Sequence, residues 1–412
     1  MFYALGMSSE TADLVHATPM PLLGHVFYLL GTIWNWRAKR YLSATEHFLD
    51  AFMYTAWRMN CANPRDHLYA LGAMDYVRSK PTLQPSYALA VPQLWKRVAL
   101  SFLTSPSEGV INSAMLLAFP ETEERRRLSW RPSWVPNFHA MSEMTLRKYG
   151  FYTNESEFHC AGGKSAAFLP SYCSSEPNVL RVRGIFLSRI ASIQHHSQPP
   201  PTGDLWYQRY SSDLIGAGTE AATHELIRWY LLCREFAALH CLERPDYPAL
   251  IDSFATFLVH GRSFKEPATD RNMMYGRLAT EGVEPLDERW DGALGRWLEQ
   301  SCSNDDERAR CGEVLCSLRR HLTPFLQKHR FHYYLDTTRL LAATEDGRTG
   351  WVPRSTRKGD WVCLLEGAPL PFVLREGGNG CHRVVGDAYV HGISQGEAWL
   401  TDDEQPVVIR LE

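Results

Sequence analysis

The sequence predicts an α+β chain, with a helical N-terminal part, a helical middle subdomain and a small, barrel-like antiparallel β module at the C-terminal end. Three observations predict it. Residues 331–400 break into short apolar runs at 331–335, 351–352, 361–365, 372–374, 383–385 and 388–391, parted by turns rich in Gly, Asn and Asp. Residues 22–59 and 220–330 instead repeat apolar side chains at three- and four-residue steps, the period of a helix face. Between them, residues 179–193 set Leu180, Val182, Gly184 and Phe186 against Arg181 and Arg183, a half-buried strand with a basic outer side.

Taken in order, residues 1 to about 20 look irregular. Leu23, Phe27, Leu30 and Trp34, then Phe48, Phe52 and Trp57, mark two helices. Asn63 and Pro64 mark a boundary, and His67 to Gly72 reads as a helical turn closed by glycine. Val91, Leu94, Trp95, Val98 and Phe102 form one face of a further helix, so that 1–105 is a helical unit. Prolines at 106, 120, 132, 136, 170 and 177 make 106–178 a loop-rich connector. Within the strand 179–193, Gly184 predicts a bulge or bend. A single strand is not stable alone, so 179–193 is expected to join the sheet of 331–400. Residues 195–218 read as a surface loop. The helical subdomain of 220–330 comes next, with faces around Trp229, Phe254, Trp297 and Leu318. In Trp361-Val362-Cys363-Leu364-Leu365 both faces are apolar, which predicts a strand covered on both sides, and residues 401–412 read as a tail.

Composition narrows the function classes. A chain of 412 residues with 45% hydrophobic and 12% aromatic content can bury a large core in two or three domains. Its net charge of −3 supplies no field for nucleic acid, and Arg125-Arg126-Arg127 and Arg319-Arg320 are too short to change that. The apolar run from Pro21 to Trp34 is too short to span a bilayer, and Met1-Phe2-Tyr3-Ala4-Leu5 has no basic n-region before it. Ten cysteines without a framework spacing then imply reduced thiols and a cytoplasmic setting, in which the sequon at Asn154 has no consequence.

The candidate chemistry is sparse. Gly392-Ile393-Ser394-Gln395-Gly396 fits the nucleophile-elbow pattern, but the downstream residues offer Asp402 and Asp403 and no histidine, so turn glycines are the favoured reading. Cys381 and His382 are adjacent in an expected strand and would point to opposite faces; His391, in the neighbouring strand, could approach either. His159 and Cys160 share that geometry. Cys302, Cys311 and Cys316 lack the paired spacing of zinc ligands, and His195-His196 and His329/His332 have no carboxylate cluster beside them. Gly216-Ala217-Gly218-Thr219-Glu220 follows no strand, as a dinucleotide loop must. No metal and no cofactor are expected.

Several motifs share one resemblance. The run Asn63-Pro64-Arg65-Asp66-His67-Leu68-Tyr69-Ala70-Leu71-Gly72, with Pro85-Ser86-Tyr87, resembles the back half of the fungal heterokaryon-incompatibility (HET) domain. Pro132-Ser133-Trp134-Val135-Pro136 resembles the segment downstream of that domain in the same proteins. Lys358-Gly359-Asp360-Trp361, Pro369-Leu370-Pro371-Phe372 and Val385-Gly386-Asp387-Ala388-Tyr389-Val390-His391-Gly392, with Gly396-Glu397, resemble the family's closing module. Ser86, Asn137 and Phe138 depart from the family pattern. The opening strands of the HET domain have no counterpart, so the resemblance implies a shortened member or a truncated product. The HET domain has been likened to the TIR fold, whose members can cleave NAD. The part that would hold such a pocket is mostly missing here, so that activity is not assigned.

The resemblance implies a protein of fungal self/non-self recognition and the associated cell death, acting through a protein partner. Pro64, Arg65, Asp66, Tyr69, Trp134, Gly359, Asp360, Gly386, His391, Gly392 and Glu397 would then be structural: Arg65 pinning a carbonyl or carboxylate, Asp66 capping its turn. The alternative is a shortened relative recruited as an enzyme or accessory protein of specialised metabolism, with His159, Cys160, Cys381, His382 and His391 the first places to look.

Overall fold

A computed structural model describes Phe52 and residues 61–72, 75–104, 112–118, 132–136, 138, 161–163, 168–195, four positions between 232 and 240, 339–393, 396–399 and 405–412. The expected helices of 22–59, apart from Phe52, and the strand expected at 331–335 lie outside the described residues. So do nearly all of the residues 220–330 expected to be helical and all of 196–218. The chain divides into two compact units, one of residues 1–98, 107–111 and 138–142, the other of 99–106, 112–137 and 143–412.

In the first unit, α1 (Asp66–Tyr69) and α2 (Asp75–Ser79) are short, and α3 (Val91–Leu103) begins there. Its core is aromatic. The Phe52 ring lies 4.9 Å from Phe138 and 6.0 Å from Trp95, and Trp95 meets Phe138 edge-on at 5.5 Å. Such pairs add about 0.5–1.5 kcal/mol each beyond the area they bury.

The second unit is built on strands. In chain order they are β1 (Ser171–Tyr172), β2 (Leu180–Gln194), β3 (Arg339–Thr344), β4 (Thr349–Pro353), β5 (Trp361–Leu365), β6 (Phe372–Glu376), β7 (His382–Asp387), β8 (Tyr389–Val390) and β9 (Val407–Leu411). β2 is the hub. It pairs antiparallel with β1 and β9 along residues 180–184, with β5 along 184–189 and with β3 along 190–194. From β3 one branch runs through β4 to β8. The other sequence of pairings, β2–β5–β6–β7–β9, returns to β2, closed by a single parallel bridge between His382 and Leu411.

Val362 to Leu365 are all buried because both faces of β5 are covered. One face carries Val362 and Leu364 into a cluster with Ile190, Leu340, Val352, Val373 and Val385. Two close approaches hold β5 in place. A Cβ on Gly184 would come within 2.5 Å of the Leu364 carbonyl, and one on Gly162 within 1.8 Å of that of Leu365. The register shifts in β2 fall between Phe186 and Ser188 and between Ile190 and Ser192 rather than at Gly184, where glycine serves strand approach instead. The basic outer side is neutralised locally: Arg181 pairs with Glu176, and Arg183 with Glu366 at 3.2 Å.

Residues 401–412 are not simply a tail. Ile409 and Leu411 oppose Val182 and Leu180 and are buried, so apolar burial makes 407–411 a strand. β3 was not foreseen in the sequence pattern either. Its six residues are all buried, and its first, Arg339, is matched by Asp387: the guanidinium lies 2.7 Å from the carboxylate and donates at 2.6 Å to the Asp387 carbonyl.

Candidate functional site

One end of the closed circuit of strands gathers charged and aromatic side chains. Arg189 stands opposite Trp361, Trp361 opposite Leu374, and Glu376 opposite His382. Directly paired residues, and residues two apart, share a face, so Trp361, Glu376 and His382 come to the same side. The Arg189 guanidinium lies 4.2 Å over the Trp361 ring, pairs with Glu376 at 2.5 Å and donates to the Gly359 carbonyl at 2.9 Å. Trp361 Nε1 donates to the same Glu376 oxygen at 3.1 Å. Phe186 packs between Trp361 at 5.4 Å and His382 at 4.9 Å.

The electrostatics follow from these contacts. The Trp361 N–H, and then Arg189, hold the Glu376 carboxyl below the usual carboxylate range. Burial pushes the His382 imidazole down, against the opposing pull of the Glu376 and Glu412 charges. His382 Nδ1 is buried with no hydrogen-bond partner among the described residues. The imidazole is therefore neutral near pH 7. Glu376 is more than half exposed, so water screens its ion pair with Arg189. Chemically this is a surface of arginine, indole and phenyl, the side chains that carry energy at protein contacts.

The other candidates sit elsewhere. Cys381 is buried and belongs to the turn before β7, its N–H donating to the Gly378 carbonyl at 3.0 Å; Asn379 and Gly380 tighten this turn at φ 55° and 70°. It is therefore not in the strand with His382. His391 is not in a neighbouring strand either. It lies just past β8, which pairs with β4, while β7 pairs with β6 and β9; the chain changes branch at Ala388. The His391 N–H donates to the Thr349 carbonyl at 3.0 Å. His159, Cys160 and Ser394 lie outside the described residues, while Gly392 and Gly396 adopt φ of 76° and 89°.

The remaining motif positions make contacts within their own units. Asp360 is buried and takes a two-pronged pair from Arg375, both contacts at 2.8 Å, plus the Arg357 N–H at 2.7 Å. Gly359, at φ 88°, donates its N–H to the Ile190 carbonyl. Gly386 opposes Val373 beside the bulge between β6 and β7. Trp134 is fully buried, its Nε1 donating to the Asn178 carbonyl at 2.9 Å. Glu397 is exposed; its charge adds to the burial that drives the Tyr389 phenol upward.

In the first unit, Pro64 lies in the turn leading into α1. Arg65 Nε donates to the Leu89 carbonyl at 2.7 Å, and its Nη1 to Asn63 Oδ1 at 3.1 Å. Asp66 does not cap α1. Arg65 occupies the N-cap and Asn63 already accepts its N–H, so the Asp66 carboxylate takes the Tyr87 hydroxyl at 2.7 Å. Tyr69 donates to the Ser86 carbonyl at 2.8 Å and meets Tyr87 edge-on at 5.2 Å. One pair escapes sequence reasoning: Cys61 Sγ lies 3.8 Å from Nδ1 of the buried His67. Its only signal is a cysteine and a histidine on either side of the Asn63-Pro64 turn.

Strands that close on themselves invite comparison with known families. Residues 249–407 match the family model of the Het-6 beta-barrel domain. The matched family is HET-related and fungal, and the Het-6 match takes in β3 to β8 and reaches the first residue of β9. No curated protein and no solved structure matches the chain. Among the described residues, no group of three or more His, Cys, Asp or Glu side chains is placed to hold a metal ion, and no helix is long and apolar enough to cross a membrane.

Proposed function

We propose that the chain is a cytoplasmic HET-family protein of fungal self/non-self recognition, coupled to the cell death that follows incompatible fusion and acting through protein contacts. The observation that carries this reading is the Het-6 match over residues 249–407. The chemistry of the strand-circuit end supports it. Arg189, Trp361 and Phe186 form a partly exposed aromatic–guanidinium group on a rigid sheet, and such groups dominate binding energy at protein interfaces. The recognition face would be this end of the circuit.

The test is expression of the full chain in a fungal host, scored for death on fusion with a panel of backgrounds. Glu376→Lys places a second cation beside Arg189 on an exposed position and is expected to abolish the response while leaving the fold intact. Truncation at Asn178 removes every strand of the circuit and is expected to do the same. Absence of death with the intact chain in every background overturns the proposal.

A further inference from the structure

Cys61 is a free, half-buried thiol at the mouth of a clamped turn. The clamp has four parts. Arg65 is tied to the Leu89 carbonyl, Asn63 accepts from both the Arg65 backbone and its guanidinium, and the Asp66 N–H donates to the Asn63 carbonyl at 2.9 Å. This turn fixes the distance between Cys61 and the first residues of α1. His67, only 2% exposed, points Nδ1 at the thiol from 3.8 Å. The other described cysteines have no such neighbour: Cys363 and Cys381 are buried in the sheet unit, and Cys173 meets the Ser175 hydroxyl at 3.0 Å.

We infer that Cys61 and His67 form a thiol–imidazole pair that makes Cys61 a site of covalent modification by peroxides and other soft electrophiles. Nδ1 of His67 accepts the thiol proton. The sulfur then attacks one oxygen of the peroxide, the S–O bond forms as the O–O bond breaks, and the departing hydroxide takes the proton from His67 and leaves as water. Cys61 becomes a sulfenic acid, the sulfur is oxidised by two electrons and the peroxide is reduced by two. An alkylating agent takes the same course, with S–C formation and loss of halide. A base held against a partly accessible thiol is the arrangement that raises such reactivity. The first unit would thereby carry a redox-sensitive position, independent of any recognition face on the strand circuit.

The experiment uses the full chain, peptide-resolved mass spectrometry and two probes. With iodoacetamide at pH 7, the Cys61 peptide is expected to alkylate about tenfold faster in the native chain than in urea. Cys363, buried in the other unit, is expected to stay protected. In His67→Gln the Cys61 rate is expected to fall to the urea value while Cys173 keeps its own. With hydrogen peroxide, a 1,3-dione is expected to trap sulfenic acid at Cys61. A native Cys61 rate no higher than in urea overturns the inference, as does absence of the trapped sulfenic acid. An unchanged rate in a His67→Gln chain that still protects Cys363 overturns it too. If that variant exposes Cys363, the wild-type comparison and the peroxide product decide alone.

Discussion

Asp387→Ala is the most demanding perturbation of the sheet unit. Asp387 is fully buried and Arg339 only 5% exposed, so water cannot take over the balance of charge. The carboxylate lies 2.7 Å from the guanidinium, which also donates at 2.6 Å to the backbone carbonyl of the same residue. Truncation to alanine keeps that carbonyl but removes the buried carboxylate that faces the guanidinium. Breaking one side of a buried pair costs about 3–5 kcal/mol. At about 1.4 kcal/mol per decade, that is a fall of roughly 2 to 3.5 orders of magnitude in the folding equilibrium. Replacing both partners by apolar residues, Arg339→Met with Asp387→Leu, removes the charge and its counter-charge together, and is expected to be neutral or stabilising by up to about 4 kcal/mol. The assay is urea unfolding of the full chain followed by tryptophan fluorescence, with amide exchange in β3 and β4 locating the change. A loss below about 1 kcal/mol for Asp387→Ala, or a double variant as damaged as the single one, would refute the reasoning.

Two further outcomes are expected. Burial holds the His382 imidazole below its unfolded value of about 6.5, so the unfolded chain takes up a proton first as pH falls. His382 therefore lowers stability as pH drops through 6.5 toward its folded value, and the loss levels off below it; His382→Phe should flatten this step in unfolding midpoints between about pH 7.5 and 5, and an unchanged step would reject the assignment. Gly162→Ala drives a methyl to within 1.8 Å of the Leu365 carbonyl and 2.9 Å of the Ala368 nitrogen, so it should cost at least about 2 kcal/mol in thermal or urea unfolding, and a neutral variant would contradict the described approach.

Legibility in the sequence tracked how far each signal was local. Trp361 to Leu365 is apolar on both faces and is a strand with those bounds, because a doubly covered strand needs no alternation. The turns around Gly359 and Gly380 were marked by their own residues. β3 was opaque: it opens on Arg339 and contains Ala342 and Ala343, weak strand formers, and the buried arginine is matched there by Asp387, far off in the chain. β9 was hidden by the acidic stretch Asp402-Asp403-Glu404, although Ile409 and Leu411 alternate as a strand should. The candidate site was less legible still. His382 was visible as a titratable residue, but Arg189 and Trp361 meet across a long stretch of chain, and no spacing rule reaches that far. The Cys61–His67 pair needed the Arg65 clamp, whose partner, Leu89, carries no chemical signature.

β2 has consequences for how the molecule is made. Its first half emerges from the ribosome long before β9, which lies roughly 230 residues further on. At about 5–20 residues per second, a nascent β2 waits on the order of 10–45 s for the strand that ends its pairing. During that interval Val182 and its neighbours offer an open backbone edge to any other chain nearby, including a sister copy on the same messenger. Crowded translation is thus a condition that favours aggregation of this chain.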